Sequence, residues 1–313
     1  MPPVAAPTAP AAKLVVGYVA LNATQMPAWV AKDEGIFDRN GLDVDLRYLP
    51  TNTSPTAAVL SGEVQVLVAA EQPIQADLSG ADLVYVAAPT ETIFYSVYTR
   101  PEIVDGAGLK GKKIGITGAG AATETAARMA LRNLRLDPER DITLSSMGTA
   151  QNILAGLQNG AIDAGVLSTP TTLQAQSLGM RELVNVARLN DPFPSAWSAA
   201  SRAYVAAHQD TFARYVKSIA QAVAAEVADP NQTQQILGKY IQITDPAIVR
   251  ASYAEVVPYL RHNVRPDVQA VRTALDELAA SVPQAASADP ASFIDSSFAD
   301  QLESSGLIRE LYP

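Results

Sequence analysis

The chain has 313 residues, of which 48% are hydrophobic, and it carries a formal net charge of -9. This length suggests about two domains with sizeable cores. The negative net charge gives no indication of a basic surface that would bind nucleic acid. Cysteine is absent, which excludes disulfides and thiol chemistry. The sequence has only two histidines, His208 and His262, which is too few for a histidine-rich metal site. We therefore expect neither a metal nor a cofactor.

The N-terminal segment, residues 1–12, is rich in proline and alanine and carries no charged side chain. This composition predicts a flexible linker rather than a signal peptide. We expect a native precursor with an export or lipid-anchor segment in place of the initiating Met; the alternative is a natural cytoplasmic start, and the sequence favours neither. No apolar run approaches the roughly 20 residues that a membrane-spanning helix needs, so no span is predicted.

The first third of the chain reads as strands that alternate with helices. Strands are predicted at residues 14–18, 42–48, 64–69 and 83–88, each followed by polar residues. In open α/β sheets, ligands bind at the carboxyl ends of the strands. The candidate ligand residues that follow these strands are Asn22, Thr24, Thr53, Glu71, Thr90 and Glu91.

A faint internal repeat recurs at an offset of 98 positions. The matching pairs are 13–18 with 111–116, 43–46 with 141–144, and Gly62 with Gly160. A repeat of this kind predicts a duplicated α/β unit. Two similar lobes imply a cleft between them.

The predicted fold class is α/β with two lobes, each a mostly parallel sheet flanked by helices. Lobe 1 is predicted at 13–97 plus 204–313, and lobe 2 at 98–203. The crossovers are expected near 93–99 and 197–204, and the helical tail after residue 211 is interpreted as a cap on lobe 1.

Two glycine-containing segments invite a nucleotide-binding interpretation. Residues 106–112 fit the opening of a P-loop, but Lys113 replaces the required Ser or Thr and the segment precedes a strand. Residues 118–123 follow a strand and open a helix, yet Thr123 replaces the final glycine of a dinucleotide fingerprint. With Gly120 and Thr123, this second loop predicts an anion cradle; the alternative is an ordinary turn with Thr123 as the helix N-cap.

No nucleophile elbow and no His-Glu-x-x-His zinc motif occurs in the sequence. Glu71 and Glu91 are placed to act as an acid/base pair or as acceptors for donor groups on a ligand; each could equally be a solvated loop residue. Trp29, Tyr95 and Trp197 are candidate walls for a flat ligand, with the protein core as the alternative. No arginine stands at the candidate loops, so backbone amides and hydroxyls would hold an anion.

Six ordered segments carry a family resemblance. They are residues 16–18, 31–37, 60–64, 109–115, 157–164 and 293–298. In their order and spacing the chain resembles the substrate-binding proteins of ABC importers, in the alkanesulfonate and thiamine-precursor (NMT1/THI5-like) branch. The resemblance covers nearly the whole chain.

This resemblance implies a type II periplasmic-binding-protein fold that holds a small polar organic ligand between its lobes. It implies a membrane permease as the partner, an extracytoplasmic location and a monomer, without catalytic residues. The ligand loops it implies contain Asn22, Thr24, Thr53, Glu71, Thr90, Gly120, Thr123, Ser168, Thr169 and Trp197. An iron-dependent enzyme of the same family uses a cysteine-rich motif, which this chain lacks.

The candidate residues favour two different chemical groups on the ligand. Amides and hydroxyls suit a carboxylate or sulfonate, whereas Glu71 and Glu91 favour N–H or O–H donors, so an organic acid with donor groups or a polar heteroaromatic fits both. The alternative function is a dehydratase-like enzyme on the same fold, with Glu71 or Glu91 as acid or base. A ligand-sensing domain of a regulator is the third interpretation, and it lacks any visible DNA-binding segment.

Overall fold

The computed structural model describes residues 11–50, 54–279 and 281–312. Of the predicted linker, residues 1–10 lie outside the described residues, while Ala12 already begins the first strand. The chain divides into two compact units. The first contains the described residues up to Glu91, then Pro194–Thr244 and the residues from Val257 onward; the second contains Thr92–Phe193 and Asp245–Val256.

The described residues form ten strands and fourteen α-helices, with short 3-10 turns between some of them. The strands are β1 (Ala12–Tyr18), β2 (Leu42–Tyr48), β3 (Val66–Ala69), β4 (Leu83–Ala87), β5 (Ser96–Thr99), β6 (Lys112–Ile116), β7 (Ile142–Ser146), β8 (Ala164–Leu167), β9 (Arg181–Asn185) and β10 (Trp197–Ser201). The helices are α1 (Met26–Asp33), α2 (Ile36–Arg39), α3 (Pro55–Leu60), α4 (Gln72–Leu78), α5 (Ala122–Asn133), α6 (Ala150–Asn159), α7 (Thr171–Ser177), α8 (Arg202–Ala207), α9 (Gln209–Ala228), α10 (Pro230–Ile241), α11 (Pro246–Val256), α12 (Val268–Leu278), α13 (Ser297–Ser304) and α14 (Leu307–Leu311).

The sheet of the first unit has the strand order β2-β1-β3-β10-β4. β1 pairs in parallel with β2 and β3, whereas β10 lies antiparallel between β3 and β4. β3 and β4 are buried along their whole length. Continuous burial explains their unbroken apolar sequences, since a mostly parallel sheet is covered on both faces.

The sheet of the second unit repeats this plan with the order β7-β6-β8-β5-β9, in which β5 is the antiparallel strand. Parallel pairing joins Ala12 to Leu42 in the first sheet and Lys112 to Ile142 in the second. Gly62 and Gly160, the glycines of the repeat, share a left-handed φ of +77°. The two units therefore have the matching topology that a duplicated α/β unit predicts.

The predicted lobe boundaries differ from these units at both crossovers. β5 pairs with β8 and β9 in the second unit, although residues 96 and 97 were assigned to lobe 1. β10 pairs with β3 and β4 in the first unit, although it was assigned to lobe 2. In each case, the first strand after the chain enters a unit becomes the antiparallel strand of that unit's sheet. Apolar patterning does not show which sheet such a strand joins.

The interpretation of the tail as a cap on lobe 1 is wrong for α11, which belongs to the second unit. Its buried residues are Val249, Ser252, Tyr253 and Val256. At its end, Glu255 forms a side-chain hydrogen bond with Thr169 of the same unit. The chain therefore passes between the units four times rather than twice.

The helices of the first unit follow the predicted spacing. Phe212, Val216, Ile219 and Val223 of α9 are all buried. In α1, Trp29 is fully buried and stacks on Tyr240 of α10, with ring centroids 4.8 Å apart. This stacking joins α1 to α10 within the first unit.

Within the described ranges, no helix has the length and apolarity to cross a membrane. The same residues contain no group of three or more His, Asp or Glu side chains arranged to bind a metal ion.

We expect Gly165→Ala to destabilise the second unit. A Cβ at Gly165 of β8 would overlap Ile153 Cγ2 inside the core, and overpacking of this kind costs about 1–3 kcal/mol. Urea unfolding followed by circular dichroism measures the loss. Tryptophan fluorescence would report only the first unit, because Trp29 and Trp197 both lie there.

The control is Gly118→Ala, where an added Cβ meets no atom within 4 Å among the described residues. Equal stability of the two variants would contradict the tight packing of β8 against α6.

Candidate functional site

The loop after β1 contains a nearly closed polar network. Asn22 Oδ1 caps the turn by accepting from Thr24 N at 3.1 Å and from Thr24 Oγ1 at 2.7 Å. Gln25 Nε2 donates to Thr24 Oγ1 at 3.3 Å. Gln25 is 2% exposed, and its Oε1 has no hydrogen-bond partner among the described residues. The sequence singled out Asn22 and Thr24, but the open acceptor belongs to Gln25.

Glu71 stands between the end of β3 and the start of α4. It is 2% exposed, it makes no capping bond to α4, and its Oε2 has no hydrogen-bond partner within the described ranges. Burial raises the pKa of Glu71 above its ordinary value, against the opposing effect of its own backbone N–H. A buried acceptor without a donor is rare in proteins and calls for an explanation.

Tyr85 of β4 lies beside Glu71. Its hydroxyl donates to Ala70 O, and burial raises the pKa of Tyr85, with the charge of Glu71 raising it further. Since this hydroxyl is committed to Ala70 O, Tyr85 does not satisfy Glu71 Oε2.

Trp197 and Thr90 are bonded to each other. Trp197 Nε1 donates to Thr90 O, and Thr90 Oγ1 donates to Ser195 O at 2.7 Å. The indole also packs edge-on against Tyr85, with ring centroids 5.3 Å apart. Both Trp197 and Thr90 are fully buried. Trp197 therefore lies in the protein core, which was the alternative to its being a wall of the ligand site.

Glu91 has an arginine partner that the sequence analysis missed. Arg261 Nη1 forms an ion pair with Glu91 Oε2, while Glu91 Oε1 and Arg261 Nε stay unpartnered among the described residues. Arg261 N also donates to Pro89 O at 2.8 Å, and Leu260 bridges Thr90. The expectation that no arginine stands at these loops is wrong. The bridge between Thr90 and Leu260 brings Arg261 to Glu91 from a distant part of the sequence. No local sequence pattern indicates such a contact.

The glycine loop of the second unit is closed by its own side chains. Gly120, with a φ of +73°, donates its N–H to Glu124 Oε2 at 2.7 Å. Thr123 Oγ1 accepts from Thr117 N at 2.9 Å and also bonds Thr117 Oγ1 at 2.8 Å. The helix begins at Ala122, so Thr123 is not its N-cap.

Glu124 therefore occupies the position predicted for a bound anion. Burial alone would raise the pKa of Glu124, but the hydrogen bonds from Gly120 N–H and Arg128 outweigh burial and lower it. An external anion at Gly120 would have to displace this carboxylate.

Ser168 and Thr169 follow β8 and begin the turn into α7. Ser168 O accepts from Thr171 N at 2.9 Å, and Thr169 Oγ1 lies 3.0 Å from Thr172 Oγ1. Burial raises the pKa of Glu255, and its hydrogen bond with Thr169 opposes the rise. Both predicted residues are half-buried and part of a polar group that includes Glu255.

Three other candidates complete the set. Thr53 lies outside the described residues. Trp29 is in the core of the first unit, and Tyr95 accepts a backbone hydrogen bond from Val186 N in the second. Ligand contact by any residue of the predicted set stays a prediction.

The family model described as "NMT1/THI5 like" matches residues 22–233. Among curated proteins, YtlA of Bacillus subtilis, named as a binding protein, is 24% identical over 263 residues, which are 82% of this chain and 78% of that protein. A protein of Brachyspira hyodysenteriae, named as an ABC transporter periplasmic binding protein, is 30% identical over 158 residues. That match spans 50% of this chain and 44% of the relative.

Solved structures share the fold over nearly the whole chain. The periplasmic aliphatic sulphonate binding protein SsuA of Escherichia coli is 20% identical with a TM-score of 0.69, over 95% of this chain and 94% of that one. The periplasmic nitrate-binding protein NrtA of Synechocystis PCC 6803 is 13% identical with a TM-score of 0.75, over 97% and 91%. The predicted two-lobed α/β architecture is confirmed by these matches.

We expect Thr123→Val to lower the stability of the second unit by about 1–2 kcal/mol, because Thr117 N–H loses its acceptor. Urea unfolding by circular dichroism measures the change. Thr125→Val on the same helix is the control, since no described hydrogen bond involves the Thr125 hydroxyl. Unchanged stability with weakened ligand binding would instead assign the Thr123 hydroxyl to the ligand.

We expect Glu71→Gln to stabilise the ligand-free protein more as pH rises. The raised pKa means that the folded state holds the Glu71 proton more tightly than the unfolded state does. Its stabilising contribution is complete below the ordinary value of 4.5 and is lost as pH rises towards the folded-state pKa. The variant, which has no such proton, should therefore become more stable relative to the wild type as pH rises above the ordinary Glu pKa of 4.5, as measured by urea unfolding.

The control for that comparison is Glu63→Gln, whose parent side chain is 60% exposed. A stability difference between Glu71→Gln and the wild type that is independent of pH would contradict the burial of an unpaired carboxyl.

Proposed function

Because the chain belongs to the NMT1/THI5-like family, we propose that it is an extracytoplasmic solute-binding protein of an ABC importer. It captures a small polar organic ligand at the loops that follow the sheet strands. It then delivers the ligand to a membrane permease.

The observation that carries the proposal is a group of buried acceptor atoms in the first unit that have no hydrogen-bond partner among the described residues. Gln25 Oε1, Glu71 Oε2 and Glu91 Oε1 belong to loops that follow β1, β3 and β4. These strands point the same way, so their carboxyl ends lie at one edge of the sheet. Several unsatisfied polar atoms at the ligand-binding edge of an α/β sheet are what a polar ligand would satisfy.

The names of the relatives support an import role. The Brachyspira protein is named for the periplasm and for ABC transport, and SsuA and NrtA are named for sulphonate and nitrate binding. By analogy with them, the ligand of this chain is a small polar molecule that is imported.

The ion pair with Arg261 argues against Glu91 as the acid or base of the enzyme alternative, because Glu91 is not free to exchange a proton. The curated relatives are named as binding proteins. Glu71 is accordingly assigned to recognition.

We expect thermal unfolding against sulfonates, carboxylates, pyrimidines, flavins and amino acids to reveal a stabilising ligand. A ligand at about a hundred times its dissociation constant adds roughly 2.7 kcal/mol of stability. Each hit is then recovered and weighed by mass spectrometry. Return of the intact ligand supports a binding protein, whereas conversion to a product would overturn the proposal.

A further inference from the structure

Glu71 is the strongest unexplained group in the first unit. It is a carboxylate in an interior position, at the carboxyl end of β3, with Oε2 unpartnered in the described part of the chain. Burying a polar group without a hydrogen bond costs free energy, and burying a charge costs more. A glutamine or an apolar residue would avoid part of this cost, so the carboxylate itself needs a reason.

The neighbours of Glu71 are already committed to other partners. Tyr85 donates to Ala70 O, and Gln72 Oε1 accepts from Ala70 N at 3.0 Å. Trp197 is the strand partner of Ala69. The one donor of its side chain, the indole N–H, binds Thr90 O. Neither the Tyr85 hydroxyl nor the Trp197 indole N–H is therefore available to Glu71 Oε2.

The described ion pairs of the first unit do not include Glu71. Each cation with a described ion pair there binds another carboxylate, and these cations are Arg47, Arg202, Arg214, Lys239, Arg261 and Arg265. No described salt bridge reaches Glu71. The partner that completes it is therefore sought outside the chain.

The unpaired atoms at this edge favour a donor with positive charge. Among the described residues, the unpartnered atoms of these loops are acceptors, on Gln25, Glu71 and Glu91. The unpartnered Arg261 Nε belongs to the ion-pair partner of Glu91, and the unpartnered Trp29 Nε1 lies on α1. A carboxylate forms its strongest hydrogen bonds with charged N–H groups. An anionic ligand group placed at Glu71 would be repelled.

We infer that the ligand carries a protonated nitrogen with N–H donors, an ammonium or amidinium group, which pairs with Glu71 in the first unit. This inference rests on the proposed function and specifies its ligand class. A carboxylate or sulfonate elsewhere on the same molecule is compatible with the pairing, provided that the nitrogen end faces Glu71.

The test compares pairs of probes of which only one member carries amino groups. The pairs are taurine and ethanesulfonate, β-alanine and propionate, putrescine and butanediol, and aminopyrimidine and pyrimidine. Calorimetry and thermal unfolding of the full chain measure binding of each. We expect the amino member of at least one pair to bind at least about tenfold more tightly than its partner.

The matched variants are Glu71→Gln and Glu63→Gln. The first keeps the shape of the side chain but removes its charge, and it should weaken binding of that amino probe by about tenfold or more. Glu63, an exposed carboxylate in the turn before β3, serves as the control, and Glu63→Gln should bind like the wild type.

The outcomes separate the two proposals. Binding of a probe without N–H groups, with equal affinity in Glu71→Gln, overturns the inference and leaves the import function standing. Equal responses, or none, to both members of every pair also overturn the inference. Conversion of a bound probe to product overturns the import function instead.

A ligand-free measurement gives an independent check. If Glu71 has no partner until a ligand binds, Glu71→Gln removes an unfavourable buried acid. The variant should then be at least as stable as the wild type at about pH 8. A clear loss of stability would mean that Glu71 has a partner within the protein, and the inference would fail.

Discussion

The pairing of β10 with β3 and β4 is the interaction on which the candidate site of the first unit depends. β10 is the antiparallel strand that joins β4 to the rest of the sheet. Through Trp197 it also fixes Thr90 at the end of β4, and the indole packs against Tyr85 beside Glu71. One inserted strand thus sets both the continuity of the sheet and the positions of the polar residues at its edge.

The two units treat their polar loops differently. In the second unit, Glu124 binds Gly120 and Thr123 binds Thr117, so the loop satisfies itself. In the first, Glu71 is buried with an open oxygen. Although the topology is duplicated, the second unit has a loop that is stable without a ligand, whereas the first retains a destabilising group. A function at Glu71 would explain why that cost is tolerated.

The sequence predicted the architecture well because strand and helix periods are local signals. The alternation of elements, the repeat through Gly62 and Gly160, and the buried face of α9 all follow from residues near one another in the chain. The exchange of β5 and β10 and the placement of α11 depend on pairing between distant segments, which has no local signature. The same limit hid Arg261. The bond from Thr117 N to Thr123 Oγ1 was equally invisible, because a sequence does not show which neighbour a hydroxyl binds.

The position of β10 in the chain also orders the assembly of the protein during synthesis. The first sheet cannot complete itself when β1 to β4 emerge from the ribosome, because its inserted strand is made only after β5 to β9. All five strands of the second sheet are contiguous and are available earlier. The half of the molecule that is translated first must therefore wait with exposed edges on β3 and β4, and such unpaired edges are prone to aggregation.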